Sequence, residues 1–269
     1  MDNIWLTPQG YQRTSKQLQK RCLALLLSFA PPKGRLLDVG CGTGNTLLFT
    51  DPGNIDHYTG IDISKDMVAY ASLAHAAPNV RFVVSDFLDC SLEPARYDAA
   101  ICAACLHWFI PREQAVIDKL SEVIKPGGLL FLSCAFEFDY VPGERAIHEQ
   151  VLTEIRQRYP SVGDPVVFDD FRFNRDSIIN ALRDFKIIRS HRIEEQVHFE
   201  TFEDFMDWHL GSGSVVYGQF EASVRDRPRE YLVPPSGTNS LPVLLPAYRA
   251  GAQSRAEHRL YAHLTVSTR

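Results

Sequence analysis

Residues 36–45 read LLDVGCGTGN, and this stretch decides the fold. A short apolar run follows the turn residues 31–34 and predicts a buried strand. The glycines that come directly after it predict a tight turn in which the backbone approaches a ligand closely. The stretch therefore predicts a ligand-binding loop at the carboxyl end of a strand.

The charge beside this loop indicates the kind of ligand. A dinucleotide-binding loop has the spacing G-x-G-x-x-G, whereas here the third glycine comes early, at Gly44, and is followed by Asn45. Asp38, two residues before Gly40, would repel a diphosphate but could accept hydrogen bonds from an ammonium group. The pattern favours a cofactor with an amino-acid portion over a dinucleotide.

Later strand-like runs also lead to acidic residues. Asp62 ends the run 57–62 and lies 18 positions beyond Gly44. This is near the roughly 20-residue spacing at which an acid at the end of a second strand reaches ribose hydroxyls. Asp86 follows a third predicted strand, and a fourth leads into the loop 103–109. Because open parallel sheets bind ligands at the carboxyl ends of their strands, these residues are expected to border one cleft.

Strand and helix patterns alternate five times in this part of the chain, which predicts an α/β fold with a doubly wound, mostly parallel, Rossmann-like sheet. Residues 1–30 are predicted to form an arm and a helix over the cofactor cleft, and residues 31–135 the cofactor-binding core. Residues 136–269 are predicted to supply the remaining strands. They include a helical lid at about 200–258, an excursion too long for an ordinary connection.

Composition narrows the classes of partner. The 269 residues are 45% hydrophobic and carry a formal net charge of −5. A basic surface that binds nucleic acid or an anionic membrane is therefore not expected, and a small molecule is the expected substrate. No apolar run reaches about 18 residues and the first residues do not resemble a signal peptide, which predicts a cytoplasmic protein. Cys102 and Cys105 lack a second ligand pair, so no metal is predicted. The oligomeric state is not indicated.

The glycine loop with Asp38, the acids Asp62 and Asp86, and the turn 125–128 together resemble class I S-adenosylmethionine-dependent methyltransferases, in the right order across roughly the first half of the chain. The resemblance implies methyl transfer, with S-adenosylmethionine as cofactor and S-adenosylhomocysteine as product. It implies that Asp86 accepts from the adenine amino group and that Phe87 packs on the ring. The cofactor contacts that it implies are Asp38, Gly40, Cys41, Gly42, Gly44, Asp62, Ile63, Met67, Asp86, Phe87, Cys102 and Ala103.

Residues 105–108, CLHW, and Tyr11 with residues 18–21 are similar to small-molecule carboxyl methyltransferases of the juvenile hormone acid, trans-aconitate and malonyl-carrier-protein types. This narrower likeness implies O-methylation of a carboxylate. Methylation of carbon or nitrogen, and cofactor binding without methyl transfer, are the alternatives. The substrate-binding candidates are Tyr11, Gln19, His107, Trp108, Trp208 and Tyr217.

His107 and Trp108 are the catalytic candidates. With an unperturbed pKa near 6.5, a histidine could deprotonate a hydroxyl or an amine, or it could orient a carboxylate as a hydrogen-bond donor. It could equally pack in the loop and only shape the pocket. The aromatic candidates either wall an apolar substrate or belong to the core, and residues 5–11 either fold over the pocket or form a surface arm.

Overall fold

The computed structural model describes residues 8, 11, 12, 18–109, 112–139, 179–197 and 258–269. The helices in these residues are α1 (Leu18–Ser28), α2 (Lys65–Ala74) and α3 (Glu113–Val123). The strands are β1 (Gly34–Val39), β2 (Ile55–Asp62), β3 (Val80–Val84), β4 (Tyr97–Ala103), β5 (Ile124–Asp139), β6 (Lys186–Val197) and β7 (His258–Thr268).

These strands form one sheet in the order β3-β2-β1-β4-β5-β7-β6. The first five are parallel to their neighbours, and β7 runs antiparallel to both β5 and β6. The prediction of a doubly wound, mostly parallel sheet is therefore confirmed. The predicted lid at 200–258 lies outside the described residues.

Both faces of β1 are covered, which explains why its sequence is nearly continuous in apolar residues. Leu36 and Leu37 point to opposite faces, as successive strand residues must, and both are fully buried. Leu36 packs in a cluster with the buried face of α1, and Leu37 packs in a second cluster with the buried face of α3. The sheet thus separates two apolar cores, and burial on both sides holds β1 rigidly.

The sequence predicts a helix from Lys65 through Ala74 with Ser64 as its cap, and α2 has these bounds. The Ser64 hydroxyl caps it by accepting a hydrogen bond from the Met67 backbone N–H at 3.3 Å. Because the cap follows Asp62 after one residue, the end of β2 is fixed against the start of the helix.

The turn 125–128 was expected to precede a strand that starts at Leu129, but β5 begins at Ile124. Ile124 pairs with Tyr97 and Leu129 pairs with Ala99, so the residues between them bulge out of the ladder. Gly127 accommodates this bulge with a φ of +78°. The glycine pair therefore interrupts the pairing without ending the strand.

The other predicted elements of the second half are covered only in part. The apolar patterns of residues 186–190 and 259–266 predict two strands, which are present and longer, as β6 and β7. The sequence also predicts helices at 141–159 and from Thr201 onward, and both lie outside the described residues. Among the helices that the structure does describe, none is long and apolar enough to cross a membrane.

Candidate cofactor and active site

The glycine loop starts where β1 ends and is held against the neighbouring strand. The backbone N–H groups of Gly40 and Cys41 both donate to the Ile61 carbonyl, at 2.8 and 3.1 Å. Asp38 lies opposite Gly60 in the β1–β2 register, and Asp62 lies opposite Val84 in the β2–β3 register. The loop and both acids therefore lie at the carboxyl-terminal edge of the sheet, where ligands of such sheets bind.

The three glycines of the loop all have positive φ, at +67° for Gly40, +52° for Gly42 and +77° for Gly44. A Cβ at Gly40 would collide with Cys105 Sγ, so packing as well as φ requires glycine there. At Gly42 the nearest atom to such a Cβ is Tyr11 Cε1, 3.9 Å away. A Cβ at Gly42 would therefore make only an ordinary van der Waals contact, with Tyr11, so packing does not require glycine there, and the bare backbone is suited to close approach by a ligand.

Asp62 is joined directly to this loop. Its Oδ2 accepts a hydrogen bond from the Gly42 N–H and its Oδ1 accepts one from the Ser64 N–H, both at 2.8 Å. Burial raises the pKa of Asp62, and the hydrogen bonds from Ser64 and Gly42 oppose that rise. Since each carboxylate oxygen can accept two hydrogen bonds, the side chain keeps acceptor capacity for a ligand hydroxyl.

Asp38 lies deeper, with 2% of the residue exposed. Its Oδ2 accepts a hydrogen bond from the Tyr58 hydroxyl at 2.6 Å. Burial raises the pKa of Asp38 to about 6. Hydrogen bonds from Tyr58 and Thr46 act in the opposite direction, and the negative charge of Asp62 adds to the rise. Asp38 is therefore a destabilised anion beneath the loop, where a cationic group would be stabilised.

Asp86 has partners that the sequence did not indicate. Its Oδ1 accepts from the Leu88 N–H at 2.9 Å, and its Oδ2 pairs with the Arg112 guanidinium at 3.0 Å. Arg112 lies directly before α3, so this ion pair ties the turn after β3 to the start of that helix. The turn is held from a second side by Lys119, whose Nζ donates to the carbonyls of Phe87, Leu88 and Cys90 at 2.7, 2.8 and 2.6 Å.

Packing of the Phe87 ring on adenine stays a prediction, and in this structure Phe87 is only 2% exposed. Its ring makes an edge contact with Phe109, with centroids 6.4 Å apart, and lies 5.1 Å from Lys119 Nζ. Of the other apolar cofactor candidates, Cys41, Met67 and Cys102 are also buried, and Ala103 is half-buried. Ile63 is 52% exposed beside Asp62 and is the one of this set whose large side chain reaches the surface.

The loop after β4 borders the same edge. Ala104 has a φ of +50°, and its N–H donates to the Ser133 carbonyl at 2.9 Å and to the Ser133 hydroxyl at 3.0 Å. A short 3-10 helix follows at Leu106–Phe109 and places Trp108, which is 40% exposed, at the surface. The backbone of His107 belongs to this turn, and its side chain lies outside the described part.

The thiols near this loop are structural. The hydrogen bond from Cys102 and burial raise the pKa of Cys105 well above its usual value, and burial likewise raises that of Cys41. Protonated thiols are poor nucleophiles and poor metal ligands. Within the described ranges, no group of three or more His, Cys, Asp or Glu side chains could hold a metal ion.

Part of the N-terminal segment lies on the glycine loop. Tyr11 faces Gly42, and the Gln12 side chain, which the sequence did not single out, donates hydrogen bonds to Thr43 and Asn45. Gln19 lies on α1 with its Oε1 buried and without a hydrogen-bond partner. An unpartnered buried carbonyl is costly, and a ligand donor would satisfy it. Two further substrate candidates, Trp208 and Tyr217, lie outside the described residues.

The sheet and its flanking helices form a Rossmann-like domain, and comparison with known proteins shows which proteins the chain is similar to. Residues 36–128 match the model of a family described as a methyltransferase domain. A ubiquinone biosynthesis O-methyltransferase of Xylella fastidiosa is 30% identical over 135 residues, which are 48% of this chain and 53% of that protein. A malonyl-[acyl-carrier protein] O-methyltransferase of Acetivibrio thermocellus is 32% identical over 125 residues, 46% of this chain and 44% of that protein.

Among solved structures, the [4+2]-cyclase SpnF superposes with a TM-score of 0.54 at 21% identity, covering 93% of this chain and 81% of that one. This likeness supports the fold alone. The chain spans about half the length of the curated relatives it matches.

Residues 36–128 therefore match a methyltransferase domain, and S-adenosylmethionine is the cofactor that the resemblance to class I methyltransferases implies. The site fits this cofactor by its own chemistry. Gly42 leaves room for close approach, Ile63 offers an exposed apolar surface, and Asp38 and Asp62 supply negative charge for a molecule that carries an ammonium and a sulfonium group.

Proposed function

We propose that this chain transfers the methyl group of S-adenosylmethionine to an oxygen atom of a small molecule, and that the acceptor is a carboxylate. The observation that carries the proposal is the hydrogen bond between Asp62 and the Gly42 N–H, at the open side of the glycine loop. This hydrogen bond holds the Asp62 carboxylate beside the Gly42 backbone at the carboxyl-terminal edge of the sheet, where parallel sheets bind ligands. Oxygen is favoured because both relatives described above are named O-methyltransferases.

The cofactor contacts are part of this proposal, and the geometry supports them as follows. The remaining acceptor capacity of Asp62 is proposed to bind the ribose hydroxyls, and Ile63 to contact the adenine face. The anion of Asp38 is proposed to stabilise the ammonium group through the loop above it. Asp86 is proposed to accept from the adenine amino group with the acceptor capacity that Arg112 and the Leu88 amide leave. The remaining contacts are proposed to be backbone contacts, from Gly40, Cys41, Gly44, Phe87, Cys102 and Ala103, and a packing contribution from Met67.

The bound cofactor supplies an electrophilic methyl group on a positively charged sulfur. A carboxylate acceptor is already nucleophilic, so the protein needs to align it and exclude water, and no general base is needed. His107 is proposed to orient the acceptor as a hydrogen-bond donor, and the exposed Trp108 to form a wall of the pocket. The unpartnered Gln19 carbonyl is proposed to accept a hydrogen bond from a donor group elsewhere on the substrate. Tyr11 is proposed as an opposite wall, with Trp208 and Tyr217 as further substrate contacts.

The test is a methyl-transfer assay with S-adenosylmethionine labelled in the methyl group and a panel of mono- and dicarboxylic acids, phenols and amines. Formation of S-adenosylhomocysteine together with a label that mild base releases would support a carboxylate ester. A base-stable label would overturn the carboxylate assignment and indicate another acceptor atom. Tight cofactor binding without S-adenosylhomocysteine formation for any acceptor would overturn the methyltransferase activity itself.

The cofactor placement has a separate test. Asp62→Ala removes the proposed ribose acceptor, and affinity for S-adenosylmethionine measured by calorimetry should fall at least tenfold, as expected for the loss of hydrogen bonds to a charged group. Asp66→Ala, in the first turn of α2 and exposed, is the matched control and should bind as the wild type does. Full affinity in Asp62→Ala would show that the ribose lies elsewhere.

A further inference from the structure

A cavity of about 490 Å³ lies against the sheet, toward the amino-terminal ends of β1, β3 and β4. Arg35, one of the residues that line it, precedes Leu37 by two strand residues and so lies on the face that packs with α3. Gly40 follows Arg35 by five residues, about 16 Å of extended strand. The cavity is therefore separate from the cofactor edge, and its volume is typical of a small-molecule site.

Basic side chains from neighbouring elements meet at this cavity. Arg35 of β1 lies opposite His57 of β2, and Arg81 lines the cavity from β3. Arg96, directly before β4, adds a third guanidinium group, whose Nη1 pairs with Glu93 Oε2 at 2.9 Å. Among the described residues that line the cavity, Glu93 is the one acid. The lining is thus predominantly cationic.

Two of these guanidinium groups are left without a carboxylate partner. Within the part of the chain that the structure describes, neither Arg35 nor Arg81 forms an ion pair. Asp98 accepts from the Arg35 backbone N–H at 2.8 Å, but its carboxylate is paired with Lys125 at 2.6 Å. The cavity therefore has a local excess of positive charge in a chain whose formal net charge is −5, and such a site attracts an anion.

A tyrosine hydroxyl adds a neutral donor. Tyr97 lines the cavity and is 7% exposed, and it packs in the same core cluster as Leu37. No described residue forms a hydrogen bond with its hydroxyl. The hydroxyl is therefore available to donate to an acceptor oxygen bound in the cavity.

The wall of the cavity beyond the sheet is anchored although it contains no helix. It is formed by the connection between β3 and β4, residues 85–96, which contains only turns and bends. Lys119 of α3 donates to the Cys90 carbonyl at 2.6 Å, and the backbone N–H groups of Ala95 and Arg96 donate to carbonyls at the end of α3, both at 2.8 Å. Because both ends of the stretch 90–96 are bonded to α3, the cavity is preformed and a ligand need not order its wall.

We propose that this cavity binds a small phosphate ester. A phosphate monoester carries up to two negative charges and three acceptor oxygens, so guanidinium groups on different strands can bind it together. A carboxylate offers only two acceptor oxygens, which lie in one plane with its carbon. The apolar part of the ester would contact the apolar members of the lining, Val80, Val83 and Leu92. The inference does not depend on the proposed methyl transfer, because the cavity lies away from the glycine loop.

The test is calorimetric titration with phenyl phosphate at pH 8, with phenol and the dicarboxylate phthalate for comparison. The wild type should bind phenyl phosphate with a dissociation constant below about 1 mM, and phenol and phthalate at least tenfold more weakly. Arg81→Gln removes an exposed charge and should weaken binding of phenyl phosphate about tenfold. Tyr97→Phe removes only the hydroxyl and should weaken it about fivefold. Arg183→Gln, which removes an exposed guanidinium group paired with Asp118 outside the cavity, is the matched control and should bind unchanged.

The outcomes separate the ligand from the place where it binds. Absence of saturable binding by phenyl phosphate would overturn the proposal, and equally tight binding of phthalate would overturn the choice of a phosphate. Binding that Arg81→Gln and Tyr97→Phe both leave unchanged would show that the anion binds elsewhere. Asp62→Ala should bind phenyl phosphate as the wild type does, and a changed affinity would place the anion at the cofactor edge. Unchanged melting temperatures of the cavity variants check that weaker binding does not reflect unfolding.

Discussion

Replacing Asp38 with asparagine should make the unliganded protein more stable while weakening cofactor binding. Burial raises the pKa of Asp38 from 3.8 to about 6. Because one pKa unit corresponds to about 1.4 kcal/mol, ionised Asp38 destabilises the folded state by about 3 kcal/mol at pH 8. The asparagine side chain would carry no charge, could still accept from the Tyr58 hydroxyl, and could donate to Thr46. The expected gain in the free energy of unfolding is thus at most about 3 kcal/mol.

The gain should depend on pH with a definite sign. A carboxyl whose pKa is higher in the folded than in the unfolded state binds its proton more tightly when folded, so its penalty is full above pH 6 and disappears as the pH falls below 3.8. The advantage of Asp38→Asn should therefore be largest at pH 8, about half as large at pH 5 and nearly absent at pH 3.5. Urea unfolding at several pH values measures it.

Asp98→Asn is a control of opposite sign. Burial raises the pKa of Asp98, but the hydrogen bonds from Lys125 and the Arg35 backbone, with the charges of both, outweigh it and lower the pKa overall. Its stabilising effect is present above the unfolded pKa and is lost as the pH falls, so Asp98→Asn should be less stable than the wild type at pH 8. The reasoning about Asp38 would be refuted if its asparagine variant were destabilised at pH 8, or stabilised equally at all pH values.

The same Asp38 variant tests the proposed ligand contact. Loss of the anion should weaken S-adenosylmethionine binding at pH 8 by about tenfold or more, the usual effect of removing a hydrogen bond to a charged group. Calorimetry on the folded variant gives the affinity directly. A more stable variant with unchanged affinity would leave the electrostatic account in place and show that Asp38 does not face the ammonium group.

Three further substitutions distinguish residues that build the site from residues that face the ligand. Gly40→Ala should lower the melting temperature by several degrees in thermal unfolding, because its Cβ would collide with Cys105 Sγ at a φ of +67°. Gly42→Ala makes only an ordinary van der Waals contact with Tyr11 and should cost only about 1 kcal/mol for its positive φ in urea unfolding, yet it should weaken cofactor binding more than tenfold in calorimetry. Arg112→Ala breaks an exposed ion pair and frees one oxygen of Asp86. The free energy of unfolding measured in urea should change by less than about 1 kcal/mol. The selectivity for adenosine over inosine forms of the cofactor should change in competition titrations.

The sequence predicted the parts of the site that local patterns determine. Alternating strand and helix patterns predicted the parallel sheet, and a capping serine predicted the start of α2. The spacing between Gly44 and Asp62 placed that acid near the loop, and it bonds to Gly42 over 20 residues. In each case the pattern lies within one element or between two consecutive strands, so a short stretch of sequence contains it.

Contacts between polar side chains that are distant in sequence could not be predicted from local sequence patterns. Gln12, Arg112 and Lys119 reach their partners across 26 to 33 residues, and no spacing rule says which of many polar side chains will meet. The burial of Phe87 was beyond a local pattern for a related reason, because the strict alternation of a strand ends at β3 and the following turn is free to direct the ring inward. Lys119, which bonds to the Phe87 carbonyl, is the tertiary contact that holds that turn.

Asp38 shows why a buried acid in an otherwise apolar strand points to a ligand. Strand β1 reads GRLLDV, and an apolar residue in place of the acid would suit both covered faces of the sheet better. Burial and the negative charge of Asp62 both raise the pKa of Asp38. The ionised carboxylate therefore destabilises the folded state when no ligand is bound. Tyr58 offsets only part of that cost with one hydrogen bond. A ligand group with a positive charge, arriving over the glycine loop, would gain the stabilisation that the fold itself does not supply, and this is the energetic reason to place the amino-acid end of the cofactor there.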